Sequence, residues 1–211
     1  YTFNKEHISN IYKKIIDELK LAPKDYIFDF SYSLYIPKDS VKLAEKVLKT
    51  LAKEGFDTKK PLVIFNPFAA SKHRSLSANQ AKEVAQNLPD YNFLIIGPEN
   101  KLKNFLPDSK PKNLFSVPPE FAGLGGVNLS LALLKTADFL ITPDTYIVHA
   151  ANALHKPQLC IYRGTDKDNI RLWGPNTAQA SLLLAEADNK DIPSNQIIES
   201  FKKLANKAIK P

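Results

Sequence analysis

The sequence predicts an α/β protein with a parallel sheet flanked by helices, preceded by a helical segment. From Pro61 onward, short apolar runs alternate with stretches whose apolar residues recur at helical spacing. Such alternation is typical of βαβ units, in which strands covered on both faces are apolar throughout. Residues 1–60 lack this alternation and contain two amphipathic patterns instead. We therefore predict a helical segment over 1–60 and an α/β domain over 61–211.

Two helices are predicted in the N-terminal segment. Apolar residues recur every three or four positions over 5–20, and again over 39–54, where Gly55 ends the pattern. The aromatic-rich stretch 26–37 alternates irregularly and is predicted to hold a short strand. Residues 57–60 are polar and are predicted to form a linker.

The alternation after Pro61 places the remaining elements. Helices are predicted over 77–88, 129–136, 145–154 and 193–209. Strands are predicted over 62–65, 93–96, 113–117, 139–142, 158–162 and 181–184. In a parallel sheet, ligands bind beyond the carboxyl ends of the strands. The residues that follow each strand are therefore the candidates for function.

The loop after the first strand carries two cations among small residues, in the order Ser71, Lys72, His73, Arg74. Small residues let the backbone approach a ligand, and a predicted helix follows the loop. Loop amides, the helix N-terminus and the side-chain cations together favour a phosphate group. A surface loop whose basic side chains meet only water would have the same composition, so this loop alone leaves both interpretations open.

Glu99 lies in a turn after the strand predicted at 93–96. A carboxylate at this place in an α/β sheet often accepts hydrogen bonds from ribose hydroxyls. The sequence Gly97-Pro98-Glu99-Asn100 is also simply a favourable turn. Ribose binding and a structural turn are both consistent with it.

The segment Ala137–Pro157 is the most informative part of the chain. A buried strand is predicted to end at Pro143, and Asp144 or Thr145 to cap the next helix. His149 lies four residues after Thr145 and shares its side of the helix. A hydroxyl, free backbone amides and an imidazole would then converge where a diphosphate could bind. The competing interpretation makes Asp144 only a helix cap and His149 a packed core residue.

Two further candidate residues, Cys160 and Trp173, lie within and after the strand predicted at 158–162. Trp173 comes after a polar, charged loop and either walls a nucleotide or sugar pocket or anchors packing. Cys160 lies inside the strand without a paired catalytic partner in the sequence. We predict that Cys160 belongs to the core.

Composition narrows the class of partner. The chain has 29 Lys and Arg residues and 22 Asp and Glu residues, which gives a net charge of +7. This charge indicates either that the protein binds anionic partners or that it simply has a solvated basic surface. Neither an RNA-binding aromatic signature nor a zinc-ligand spacing accompanies this charge, so neither nucleic acid nor a metal is expected. A single cysteine and the lack of a long apolar run are typical of a cytoplasmic protein.

Three segments together resemble the glycosyltransferase family that includes the lipopolysaccharide heptosyltransferases. They are the Asn-Pro…Lys…Arg loop over 66–77, the Ala-Asp…Asp-Thr…His…Lys-Pro run over 137–157, and the Trp-Gly-Pro at 173–175. The likeness covers residues 60–211, and the second segment is the most specific. The helical patterns before residue 60 resemble the segment that bridges the family's two halves.

The resemblance implies the C-terminal, donor-binding half of a GT-B enzyme, whose Rossmann-like sheet faces an N-terminal acceptor domain. It implies inverting transfer of a heptose from ADP-heptose to lipopolysaccharide core, without a cofactor or an obligatory metal. The enzyme would be bacterial and cytoplasmic, in peripheral contact with the inner face of the inner membrane. The residues implied are Ser71, Lys72, Arg74, Thr145, Tyr146 and His149 at the phosphates, Asp144 at the sugar and Glu99 at the ribose.

Two departures from the family pattern concern the site. Tyr146 stands where the family commonly has a glycine after Asp-Ser/Thr, which would narrow or reshape the diphosphate site. The family's general base is an acidic residue of the N-terminal domain. We expect that domain to be missing from a fragment, because the chain begins with Tyr1 and contains no Met. No catalytic residue is therefore assigned in this chain, and we expect donor binding without turnover.

Two other functions stay open on the sequence. Another sugar–nucleotide enzyme, such as a different hexose transferase or an epimerase, would have a similar pattern of site residues. A non-catalytic nucleotide- or phosphate-binding module would have it too. An acceptor domain encoded upstream, with an acidic residue facing this site, would favour the enzyme over the module.

Overall fold

The computed structural model describes residues 6–106 and 109–209. Its helices are α1 (Ile8–Glu18), α2 (Lys38–Lys53), α3 (Ala78–Gln86), α4 (Glu99–Leu102), α5 (Gly126–Thr136), α6 (Ile147–Ala153), α7 (Lys167–Trp173) and α8 (Ser194–Ile209). Its strands are β1 (Leu62–Phe65), β2 (Asn92–Ile95), β3 (Leu114–Ser116), β4 (Phe139–Pro143), β5 (Gln158–Arg163) and β6 (Ala180–Ala185). Two short 3-10 helices lie at Lys72–Arg74 and Asn189–Asp191.

The six strands form one parallel sheet in the order β3-β2-β1-β4-β5-β6. The chain builds outward from β1 to β3, and then returns to place β4 on the other side of β1. The connections after β1 and β4 therefore leave the same edge of the sheet in opposite directions, and a crevice opens between them. The predicted α/β fold with a parallel, helix-flanked sheet is confirmed.

Helices cover the sheet on both faces. Successive side chains of a strand point to opposite faces, yet every residue of β1, β2 and β4 is buried. The helix α2 packs on α5, and α3 packs on α8. Phe201 of α8 is fully buried and has ring contacts with Tyr91, Phe93 and Phe139. This core fixes the ends of the central strands, and with them the loops that follow.

The segment before α2 differs in part from its prediction. The first predicted helix is confirmed as α1, although residue 5 lies outside the described ranges. The short strand predicted within 26–37 is wrong, because these residues pair with neither edge strand of the sheet. Their aromatic rings contact each other instead, as Phe28 and Phe30 do at 4.8 Å between centroids. Within the described residues, no helix is both long and apolar enough to span a membrane.

Several short elements after β1 were missed or displaced. The helix α5 begins at Gly126. The start was predicted at residue 129, because the regular apolar spacing of this helix begins only at residue 129. The φ angles of Gly125 and Gly126 are +71° and +50°, which suits glycine at the turn into this helix. The helices α4 and α7 and both 3-10 helices are too short to show a helical period. The division of the chain at residue 60 stays a prediction.

Candidate functional site

A cavity of about 760 Å³ opens at the carboxyl ends of β1, β2 and β4, in the crevice that the strand order creates. Its walls come from the loops after these strands and from α4, α5, α6 and α7. The structure brings six of the eight predicted site residues to this cavity: Arg74, Glu99, Asp144, Thr145, Tyr146 and His149. Ser71 and Lys72 are not among the lining residues.

Asp144 is held by side chains from two separate elements. Arg74 Nη1 lies 2.6 Å from Asp144 Oδ2, and Asn169 Nδ2 of α7 donates to the same oxygen. Both members of the ion pair are largely shielded, with 27% and 12% of their side chains exposed. The predicted capping of α6 by Asp144 or Thr145 is wrong, because the helix begins two residues later and Tyr146 is its N-cap residue. The carboxylate therefore serves the cavity wall and not the helix end.

Asn66 joins the loops after β1 and β4. It is 6% exposed, and its Nδ2 donates to Thr142 Oγ1 at 3.0 Å and to Thr145 Oγ1 at 3.2 Å. The Thr142 hydroxyl in turn donates to the carbonyl of Pro143 at 2.9 Å. Thr145 Oγ1 accepts from Asn66 and lies 3.4 Å from Thr142 Oγ1, so its own hydrogen can be donated either to that long contact or to an anionic ligand in the cavity.

His149 is half-buried at the cavity wall, between two aromatic rings. Its ring centroid lies 6.1 Å from that of Tyr32 and 6.4 Å from that of Trp173. Burial lowers the pKa of His149, the charge of His7 acts in the same direction, and Asp144 opposes both. The imidazole is therefore neutral near pH 7. Its Nδ1 is buried and has no hydrogen-bond partner among the described residues, so Nε2 is the nitrogen available to a ligand.

Tyr146 forms the wall between α5 and α6. Its side chain lines the cavity, and about half of the residue's surface (49%) is exposed. Burial of the rest raises the pKa of the phenol, and a hydrogen bond with Ser130 of α5 opposes this shift. The ring thus occupies space at the cavity wall that a glycine would leave empty.

The end of the cavity near β2 is formed by α4 and the loop 118–125. A Cβ atom on Gly123 would lie 2.4 Å from Glu99 Oε2, so this carboxylate lies directly against the glycine backbone. Lys101 of α4 places its Nζ 5.6 Å from the ring centroid of Phe68. The rest of this end is apolar, and its side chains are Phe68, Leu102, Val117, Phe121, Leu124 and Leu129. This end of the cavity is therefore an apolar surface with a carboxylate, Glu99, beside it.

Three polar residues that line the cavity, Asn66, Lys101 and Asn169, were not predicted from the sequence. Asn66 directly follows β1, so the rule that ligands bind after parallel strands could have found it. Lys101 and Asn169 lie in α4 and α7, and neither helix gives a periodic signal. Of the two predicted residues outside the cavity, Ser71 caps a 3-10 helix and Lys72 is exposed. Their contact with phosphate stays a prediction.

The two residues around β5 occupy different environments. Cys160 is fully buried in the strand, and burial raises the pKa of its thiol, as expected of a core residue. Trp173 lines the cavity and is 39% exposed. Of its two open roles, the geometry supports the pocket wall.

The strand order and the position of the cavity define a Rossmann-like α/β protein with a ligand site at the topological switch point. Residues 13–199 match the sequence model of a protein family that is described as glycosyltransferase family 9 (heptosyltransferase). The chain therefore belongs to glycosyltransferase family 9, and the resemblance carried by its motifs is confirmed.

Individual relatives agree with this family. The chain is 28% identical to “Putative lipopolysaccharide heptosyltransferase 4” of Escherichia coli K12, over 95% of this chain and 53% of the relative. Its structure is similar to a family 9 glycosyl transferase from Veillonella parvula, with a TM-score of 0.77 and 15% identity over 97% of this chain and 62% of that one. It is also similar to E. coli ADP-heptose lps heptosyltransferase II, with a TM-score of 0.63 and 15% identity over 89% and 56%. The chain thus spans about half the length of the curated relative.

Proposed function

We propose that this chain is the donor-binding part of an inverting glycosyltransferase that transfers a heptose from ADP-heptose to lipopolysaccharide core. The observation that carries the proposal is the convergence of Arg74, Asp144, Thr145 and His149 on one side of a single cavity, with Glu99 at its other end. Family membership and the names of the relatives support heptose and ADP as the two parts of the donor.

The diphosphate would bind between the loops after β1 and β4. Arg74 supplies the positive charge, and Thr145 Oγ1 and His149 Nε2 supply hydrogen-bond donors. In sugar transfer the nucleoside diphosphate leaves with growing negative charge. Groups already fixed toward that charge stabilise the transition state more than the ground state. Arg74 is fixed in this way by its ion pair with Asp144.

Asp144 would have a second role at the sugar. A carboxylate has about four lone-pair sites, and the contacts from Arg74 and Asn169 both use Oδ2. The other oxygen, Oδ1, is then open to hydroxyl groups of the transferred sugar. The carboxylate thus links the orientation of the phosphate-binding cation to the position of the sugar.

The nucleoside would occupy the end near β2. A volume of about 760 Å³ lies within the usual range for ligand pockets, roughly 300–1,000 Å³. Glu99 would accept hydrogen bonds from the ribose, and the apolar wall around Phe68 and Phe121 would cover the base. Lys101, on the same helix as Glu99, adds a cation near this end.

The contacts proposed above concern the sugar donor and not the acceptor. The general base that deprotonates the acceptor hydroxyl is proposed for a separate N-terminal domain, so this chain alone would bind donor without turning it over. The net charge of +7 is compatible with a cytoplasmic protein that works next to the anionic inner face of the inner membrane.

Calorimetry with the 211-residue chain tests the donor assignment. ADP-heptose and ADP are expected to bind at least about tenfold more tightly than UDP-glucose, because the larger adenine ring system buries more apolar surface at this end than uracil does. Tighter binding of UDP-glucose would contradict ADP-heptose as the donor, and lack of binding by every nucleotide would contradict the site. Transfer assays with the full-length protein and core-lipid acceptors then test the sugar and the acceptor.

A further inference from the structure

Three buried polar atoms lie close together behind His149 and lack partners among the described residues. They are Tyr32 Oη, His149 Nδ1 and Asn152 Nδ2. Buried polar groups in folded proteins are nearly always paired, because an unpaired one keeps its full desolvation cost. Three such atoms at one place therefore call for a common explanation.

Their side chains are neighbours. The rings of Tyr32 and His149 lie 6.1 Å apart between centroids, at 39° to each other. Asn152 follows His149 by three positions on α6, which places both on the same side of that helix. Burial raises the pKa of Tyr32, and weak hydrogen bonding from the side chains of Asn176 and Asn152, outside the geometry of a full hydrogen bond, acts in the opposite direction. Tyr32 therefore lies next to both α6 residues.

The hydrogen-bonding capacities of the three groups are complementary. Asn152 Oδ1 already accepts from Gln158 Nε2 at 2.6 Å, which fixes the amide and leaves Nδ2 as a donor. A phenol can accept one hydrogen bond and donate another. An imidazole Nδ1 accepts when the proton of the neutral ring is on Nε2. One chain of hydrogen bonds would therefore satisfy all three groups.

We propose that Tyr32 is a positioning residue for His149: Asn152 Nδ2 donates to Tyr32 Oη, Tyr32 donates to His149 Nδ1, and the imidazole proton is held on Nε2. The Nε2 proton then faces the cavity, where it can be donated to a diphosphate oxygen. This part of the inference rests on the proposed function, whereas the hydrogen-bond chain itself does not.

The consequence is that the segment before α2 takes part in the donor site. A neutral histidine exists as two tautomers, and the partner of one nitrogen decides which tautomer is populated. Without an acceptor role for Nδ1, a share of the molecules would present an unprotonated Nε2 to the phosphate, which repels it. Tyr32 removes that share.

Imidazole ¹⁵N NMR of the free 211-residue chain tests the hydrogen-bond chain directly, with His149→Gln used to assign the signal. Near pH 7.5, His149 is expected to be the Nε2–H tautomer, and Tyr32→Phe is expected to give a mixture of both tautomers. Tyr35→Phe is the matched control, because Tyr35 is 82% exposed on the same segment. A wild-type Nδ1–H tautomer, or an unchanged tautomer in Tyr32→Phe, would overturn the proposal.

ADP binding tests whether the effect reaches the ligand through His149. Tyr32→Phe is expected to weaken ADP binding about 3- to 10-fold, the range for one hydrogen bond. In a His149→Ala background the same change is expected to have no effect, whereas an equal loss would show that Tyr32 acts independently and would overturn the proposal. If wild-type protein does not bind ADP, the proposed function fails, and the tautomer measurement alone decides on the role of Tyr32.

Discussion

Arg74 Nη1 and Asp144 Oδ2 lie 2.6 Å apart and join two loops that are 70 residues apart in the chain. The pair bridges the connection after β1 to the connection after β4, across the crevice of the sheet. The guanidinium of Arg74 has five N–H donors, and the contact with one carboxylate oxygen uses only part of them. Several donors therefore remain for a ligand.

Arg74→Ala is expected to weaken ADP binding about 10- to 100-fold, because it removes charge-assisted hydrogen bonds and leaves Asp144 to repel the phosphates. Adenosine binding should change less than about twofold, since adenosine has no phosphate. Lys46→Ala is the matched control, because Lys46 is exposed on α2 and lies outside the cavity lining. Calorimetry with both ligands checks this. Equal losses for ADP and adenosine would contradict a phosphate role for Arg74.

Gly123→Ala is expected to weaken nucleotide binding, because the new Cβ would lie 2.4 Å from Glu99 Oε2 and displace that carboxylate. Its φ of +83° also strains a non-glycine residue, which is expected to lower the free energy of unfolding by about 1–2 kcal/mol. Gly55→Ala separates the two effects, since Gly55 has a φ of +99° but open space around it. Both variants should lose stability in urea unfolding, and only Gly123→Ala should lose affinity for ADP. Normal ADP affinity in Gly123→Ala would argue against a role for Glu99.

The stability of the protein is expected to fall as the pH is lowered through 6.5, in part because of His149. Its folded-state pKa is below the ordinary value, so between the two values the unfolded chain binds a proton that the folded chain does not. The contribution is present above pH 6.5 and is lost as the pH falls toward the lower pKa. His149→Gln should reduce the difference in unfolding free energy between pH 7.5 and 5.5. An unchanged difference in His149→Gln would count against this assignment.

Cys160 is expected to resist alkylation in the folded protein. It is fully buried in β5, and burial raises its pKa, so neither access nor thiolate is available. Labelling with iodoacetamide at pH 8, followed by mass spectrometry, should show modification only after denaturation in urea. Rapid labelling of the native chain would contradict a core position for this strand.

The sequence predicted the sheet and the edge of the sheet at which the cavity lies, because both follow from apolar strands that alternate with helices. Asp144, Thr145 and His149 could be grouped because they follow one buried strand. The different positions of Lys72 and Arg74 could not be predicted, because the orientation of each side chain depends on the short 3-10 helix that contains them. Nor could Asp144 be predicted as the partner of Arg74, since such a contact depends on tertiary structure.

The contact of Tyr32 with His149 had no signal in the sequence at all. Residues 21–37 form neither helix nor strand, so no periodicity indicates which side chains face the rest of the protein. The spacing of aromatic residues there suggested a strand, and the structure instead uses one of those rings to cover an imidazole.

The hydrogen bonds of Asn66 restrict the movement of one half of the sheet against the other. Its amide lies between Thr142 and Thr145, at the seam where β1 meets β4. A shear motion that slid β3-β2-β1 against β4-β5-β6 would break both of these hydrogen bonds at once. The floor of the cavity between β1 and β4 is therefore expected to stay rigid when a ligand binds.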